Sequence, residues 1–247
     1  MTGRSHMALG ATAGIVATTL AQPSHNAAQV ALTTTIAAGA ALACDLDTPN
    51  GLLANSLGPL TRVGARALGR ICGGHRHGTH SLLFCGLTCL AVTIALQSSA
   101  PLHAFGHTVH TGQAALAAVA YITTAMALSA LAGIHGAHCV LLAAAAAALG
   151  VRIGTDTEAI AIAFSAGCWS HLVGDALTPD GIPPLWPASD RRVSLAVIGH
   201  TGDLRERAIT TVVILCLAVL VSNTLSTSQG REPQMRATAP GHQTVGR

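Results

Sequence analysis

The sequence predicts an all-α protein, an integral membrane helical bundle with about five to seven membrane helices and a functional site at one membrane face. Three observations lead there. Only 9% of the 247 residues are charged, against roughly 25% in an average soluble domain. Apolar runs recur near 7–21, 28–44, 81–97, 112–133, 138–150, 159–174 and 208–222. Glycine and alanine are abundant while aromatics reach only 2%, which suits helices that approach closely through small side chains.

Taken in order, the first run follows Arg4 and also has the outline of a secretory signal peptide, whose cleavage would remove His6. A second apolar segment follows almost at once and no soluble domain appears downstream, which favours a retained membrane helix. The second run closes on "ACDLDTPN". The third is introduced by "GGHRHGTHS", where Thr79 or Ser81 is suited to cap the helix N-terminus. The run 112–133 is long enough to span, whereas 138–150, nearly all Ala and Leu, is short for a separate span. The run 159–174 leads into "SHLVGDALTPDGIPPLWP", whose Pro-Asp-Gly and Pro-Pro stop the helix and turn the chain. After 208–222 the sequence is polar, contains Pro and Gly and lacks periodicity, so 223–247 is expected to be a disordered tail behind a membrane-embedded domain, 1–222.

Alternating spans place the N-terminus, the 45–80 segment and the 175–207 segment on one side. That side carries Arg4, Arg62, Arg66, Arg70, Arg76, Arg191, Arg192, Arg205 and Arg207, and between the spans the other side carries only Arg152. The positive-inside rule makes the first side cytoplasmic, although the three tail arginines fit an outside C-terminus poorly. All 13 basic residues are arginine. No basic patch with interleaved aromatics points to nucleic acid. The seven cysteines lie mostly inside apolar runs as small hydrophobes and form no disulfide framework.

Metal-ligand residue types gather on the same side. Asp45 and Asp47 close the second run; carboxylates near a bilayer are usually compensated by a partner, the bland alternative being a solvated helix end. His75, His77 and His80 precede the third run, either as ligands or as an exposed polar loop. His171 and Asp175 stand four apart, on one helical face. His6, unremarkable alone, joins them. Mixed nitrogen and oxygen donors without thiolate favour zinc, manganese or iron over copper(I). "HAFGHTVH" (His103, His107, His110) falls on the opposite side and cannot join this set; "HGAH" (His135, His138) has ligand-like spacing too.

From His6 through "DLDTPN" and "HRHGTHS" to "HLVGDALTPDGIPPLWP" and "TGDLRER", over roughly residues 1–210, the chain resembles the YdjM-like family of membrane-associated metal-dependent hydrolases, also described as LexA-binding. The resemblance implies a site formed by His6, Asp45, Asp47, His75, His80, His171 and Asp175, and it adds Arg76, Thr178 and Glu206. The family is distantly similar to zinc-dependent phospholipase C and single-strand nucleases. Two departures stand out: Cys44 replaces the usual Pro before the first Asp, and Thr48 replaces a common His after the second. His77 is an additional histidine.

The expected activity is metal-dependent hydrolysis of a phosphoester, lipid-like ones included, at the cytoplasmic face. Asp47 or Glu206 would serve as general base, and Arg76 with Thr178 would hold the anionic substrate. Membrane lipids are the expected surroundings. The competing readings are a metal-handling or transport protein, disfavoured because the ligand types cluster at helix ends and no repeat is evident, and a regulatory protein binding a LexA-like repressor, which only the resemblance suggests.

Overall fold

A computed structural model describes residues 1–22, 26–47, 59–74, 76–104, 106–134 and 136–237. Helix α1 (Gly3–Ala21) starts at Thr2, whose hydroxyl accepts from the Ser5 amide. Helix α2 (Ala27–Ala40) starts with a reciprocal capping box between Asn26 and Gln29 and passes into a 3-10 turn, Ala43–Asp47. Helix α3 (Pro59–Ile71) and a second 3-10 turn, Gly78–His80, lead to α4 (Leu82–Gln97). Ser81 caps α4 by accepting from the Phe84 amide, because the other eligible hydroxyl, on Thr79, is committed to Asp47.

A hairpin, β1 (Pro101–Ala104) and β2 (His107–His110), joins α4 to α5 (Thr111–Ala132), with Pro101 opposite His110 and Ala104 opposite His107. Helices α6 (Gly136–Arg152), α7 (Thr157–Ala176) and α8 (Leu204–Ala237) complete the chain. The histidines of "HAFGHTVH" therefore fall on this hairpin; His103 bonds Thr108, His138 is exposed, and His135 lies outside the described residues.

The sequence makes the centre of the bundle from small residues. Gly10 and Gly14 on α1 are four apart and face Ala37 and Ala41, and Gly167 on α7 meets the Ala37 carbonyl and Ala40. Gly39 presses on the backbone of Thr123 in α5. A Cβ at Gly10, Gly14, Gly39 or Gly167 would overlap its neighbour, so helix contact depends on hydrogen at those positions. Large side chains point outward instead: Leu83, Leu87, Leu90 and Ile94 on α4, Leu141 and Leu142 on α6, Val212, Leu215 and Val219 on α8. The core also holds large side chains, among them Ile36, Ile160, Phe164 and Leu172, so the outer apolar surface is additional to a buried one.

Among the described helices, two are long and apolar enough to cross a membrane, over Thr111–Leu131 and Leu204–Thr227. Helices α2, α4 and α6 are apolar but shorter; the 14 residues of α2 reach only about 21 Å, less than a hydrocarbon core of roughly 30 Å. Of the five to seven expected spans, two are met by length and composition among the described residues. Helix α8 continues through 223–237. The hydroxyls of Thr224, Ser226 and Thr227 bond back to carbonyls four residues earlier, so the polar sequence extends the helix already started by the apolar one. Residues 238–247 lie outside the described set.

One end of the bundle gathers the start of α1, the turn after α2, the turn before α4 and the end of α7. The chain after α7 folds back under that end, with Leu195 and Ile198 donating to the carbonyls of Ala176 and Leu177, and Leu82 donating to Pro184.

Candidate metal centre

His171 and Asp175, one turn apart on α7, are the centre of the site, with 0% and 1% of their surfaces exposed. The carbonyls at the end of α2 have no helical partners, and that of Ala41 accepts from His171 Nδ1 at 2.6 Å. A carbonyl can only accept, so Nδ1 carries the hydrogen, and in the neutral form of the ring the lone pair belongs to Nε2. That nitrogen lies 3.5 Å from Asp175 Oδ2, 3.9 Å from Asp45 Oδ1 and 3.2 Å from His80 Nε2.

His80 is oriented by a second chain of bonds. The Thr79 hydroxyl donates to Asp47 Oδ2 at 2.7 Å and lies 3.0 Å from His80 Nδ1. Its one hydrogen is on Asp47, so it accepts from Nδ1 and leaves His80 Nε2 facing Asp175 Oδ2 at 3.3 Å and Asp45 Oδ1 at 3.5 Å. Such outer partners fix the tautomer of metal-ligating histidines. His6, on the first turn of α1, stacks on His171 with ring centroids 3.9 Å apart and brings Nε2 to 3.2 Å from Asp175 Oδ1. Gly174 leaves room for it, since a Cβ there would sit 3.1 Å from the His6 ring. His6 Nδ1 is buried without a hydrogen-bond partner.

Asp175 thus faces cationic or donor groups on both oxygens. Oδ1 also lies 3.3 Å from the Met1 ammonium and 3.8 Å from Arg76 Nη2. Burial pushes the His80 imidazole down, but its hydrogen bonds to Asp175 and Asp45 outweigh burial and raise it to about 9. Burial raises the Asp45 carboxyl, but the His80 bond and the nearby histidines win and hold it well below the usual carboxylate range.

Two overlapping groups, His6–His171–Asp175 and Asp45–His80–His171, have ligand atoms within 4.8 Å of one another. Their buried imidazoles and carboxylates could hold a metal ion, and the nitrogen–oxygen donor set with Nε2 atoms already turned inward fits a divalent one.

The other expected residues occupy different places. Asp47 stands behind His80, reached through Thr79. The Glu206 carboxylate accepts from the Thr2 amide at 2.6 Å, the Ser5 hydroxyl and the Gly202 amide at 2.7 Å, tying α8 to the start of α1. Thr178 turns its hydroxyl to the Asp175 carbonyl at 2.8 Å. Arg76 lies at the rim with Nη1 2.8 Å from Asp180 Oδ2. His77 reaches Asp190 at 3.9 Å, away from the cluster; His75 and Thr48 lie outside the described residues.

Sequence reasoning missed the roles of Thr79, Asp180 and Arg192. Arg192 donates to the carbonyls of Arg76 at 3.2 Å and Asp180 at 3.3 Å. Arg76 itself holds a left-handed φ of 61°, a conformation uncommon for residues other than glycine. Of the three, only Thr79 had a usable signal, adjacency to His80. Replacing Thr79 by Val is expected to weaken metal binding about 10–100-fold, read by competition with a chelator; an unchanged affinity would mean that the Thr79–Asp47 chain does not orient His80.

The family model for the YdjM inner membrane protein matches residues 1–229. No curated protein and no solved structure gives a match. With nearly the whole chain covered, including every segment that contributes to the His/Asp cluster, the protein belongs to the YdjM inner membrane protein family.

Proposed function

We propose that the chain is a multi-pass membrane hydrolase that uses a divalent metal, zinc first and manganese or iron as alternatives, to cleave a phosphoester at the cytoplasmic face. The observation that carries this reading is the pair of buried His/Asp groups joined at His171. His6, Asp45, His80, His171 and Asp175 would hold the metal. The chemistry an ion supplies in such a site is a lower pKa for water and polarisation of a phosphoryl oxygen.

The chain's own groups supply the rest. Arg76, with 19% of its side chain exposed, stands between the cluster and solvent, placed to bind a phosphate through paired hydrogen bonds. Its partner Asp180 is 71% exposed, and an ion pair that open to water is readily exchanged for another anion. Arg192 keeps the Arg76 backbone in place through that exchange. Asp45, 33% exposed against 1% for Asp175, is the cluster carboxylate open to water. Asp47 and Glu206 position His80 and α1. The arginine excess on this side supports a cytoplasmic orientation, and a site at the end of an apolar bundle suits a lipid-like phosphoester.

Elemental analysis of the detergent-purified protein, repeated on His80→Ala and paired with hydrolysis of a model phosphodiester, tests the reading. Stoichiometric metal and hydrolysis, both lost in the variant, are expected. A wild-type protein without metal would overturn it. A pH dependence follows: below about 9 His80 is protonated, and a metal must displace that proton. Apparent affinity should therefore fall as pH drops from 9 towards 6, by about tenfold per unit for one proton released. A flat profile in a metal titration would remove His80 from the ligand set.

A further inference from the structure

Helix α3 packs against the turn Ala43–Asp47 at the end of the bundle that carries the metal centre, and most of its described side chains from Val63 on are left exposed. Ala65 is buried, and Gly69 packs so near the preceding turn that a Cβ would lie 3.0 Å from the Asp47 carbonyl. On the outward side Val63 and Ile71 are 61% and 76% exposed, with Ala67 exposed between them. These three are spaced by four and form one continuous stripe. Arg66 and Arg70 are exposed beside it, and residues 59–74 include three arginines and no acidic residue.

We infer that α3 is an interfacial helix whose Val63–Ala67–Ile71 stripe enters the boundary of an anionic phospholipid leaflet while Arg66 and Arg70 pair with lipid phosphates. An apolar stripe bordered by arginine, on a helix packed at the end of a bundle, has the composition and charge of a membrane-surface helix. Topology agrees: α3 links the end of α2 to the start of α4, and α8, the most exposed apolar helix, begins at the same end with Leu204 82% exposed. The consequence concerns depth. Because α3 packs on the Asp47 backbone and Asp47 leads through Thr79 to His80, docking α3 in the leaflet sets the metal centre at headgroup level. This holds whatever reaction the centre performs.

Hydrogen exchange of the full chain in nanodiscs tests it. In discs of mixed phosphatidylcholine and phosphatidylglycerol, amides 63–71 should exchange roughly ten- to thirtyfold more slowly than in phosphatidylcholine discs, the effect expected of two arginines at an anionic surface. The double variant Arg66→Gln/Arg70→Gln should lose that difference, and Ile71→Glu should speed exchange in both discs, with α7 protection unchanged as the control for folding. Equal wild-type exchange in the two disc types would overturn the inference. So would protection in detergent that grows with protein concentration, which would identify a second copy of the chain as the cover.

Discussion

Asp175→Asn is expected to strip the metal from the protein and to destabilise the end of the bundle that holds it. The substitution keeps the shape of the side chain but removes the charge that faces the Met1 ammonium, His6, His80 and His171 within 3.5 Å. Breaking a buried ion pair by removing one partner costs about 3–5 kcal/mol, because the other charge stays buried; Asp175 is 1% exposed, so solvent offers no relief. The loss of metal affinity should exceed the roughly 10–100-fold of an outer-shell change. Elemental analysis and a thermal melt of the detergent-purified variant check both halves, and a variant that keeps stoichiometric metal would dismiss Asp175 as a ligand.

Gly167→Val should act on the same site from within the packing. The new side chain would meet the Ala37 carbonyl and Ala40, forcing α7 off α2 at an overpacking cost of about 1–3 kcal/mol. His171 lies one turn further along α7, and its 2.6 Å bond to Ala41 depends on that same helix contact. A lower melting temperature and weaker metal binding should therefore appear together. Gly86→Ala on α4, where an added Cβ meets nothing within 4 Å, is the matched control and should be neutral or stabilising by about 0.5–1 kcal/mol. If Gly167→Val melts like the wild type, α2 and α7 are not held by close contact at that point.

These two variants also mark what could be read from the sequence. Helices α1, α2 and α4–α7 follow the apolar runs to within a few residues, as does the start of α8, because helices that face either small-residue neighbours or lipid need few polar positions. Helix α3 escaped notice: its glycines and arginines interrupt any apolar run, and only the three-dimensional fold shows that a stripe remains. In the site, the spacing of His171 and Asp175 announced a shared helical face. Asp45 and Asp47 were read as a matched pair, but they lie on a 3-10 turn. With three residues per turn, positions two apart point about 240° apart; one carboxylate meets the histidines and the other meets Thr79. Glu206 entered through family resemblance alone, and no local pattern hints that its carboxylate receives the first residues of the chain.

The arrangement of His171 also ties the two ligand groups together. A neutral imidazole has one in-plane lone pair, and with the Nδ1 hydrogen directed at Ala41 that pair belongs to Nε2, the atom on which both groups converge. Asp175 Oδ2 lies 3.3 Å from His80 Nε2 and 3.5 Å from His171 Nε2, so a carboxylate is shared between the groups as well. Whatever would fill one group changes the donors left to the other, and the two halves of the cluster are expected to respond to any single substitution as one unit.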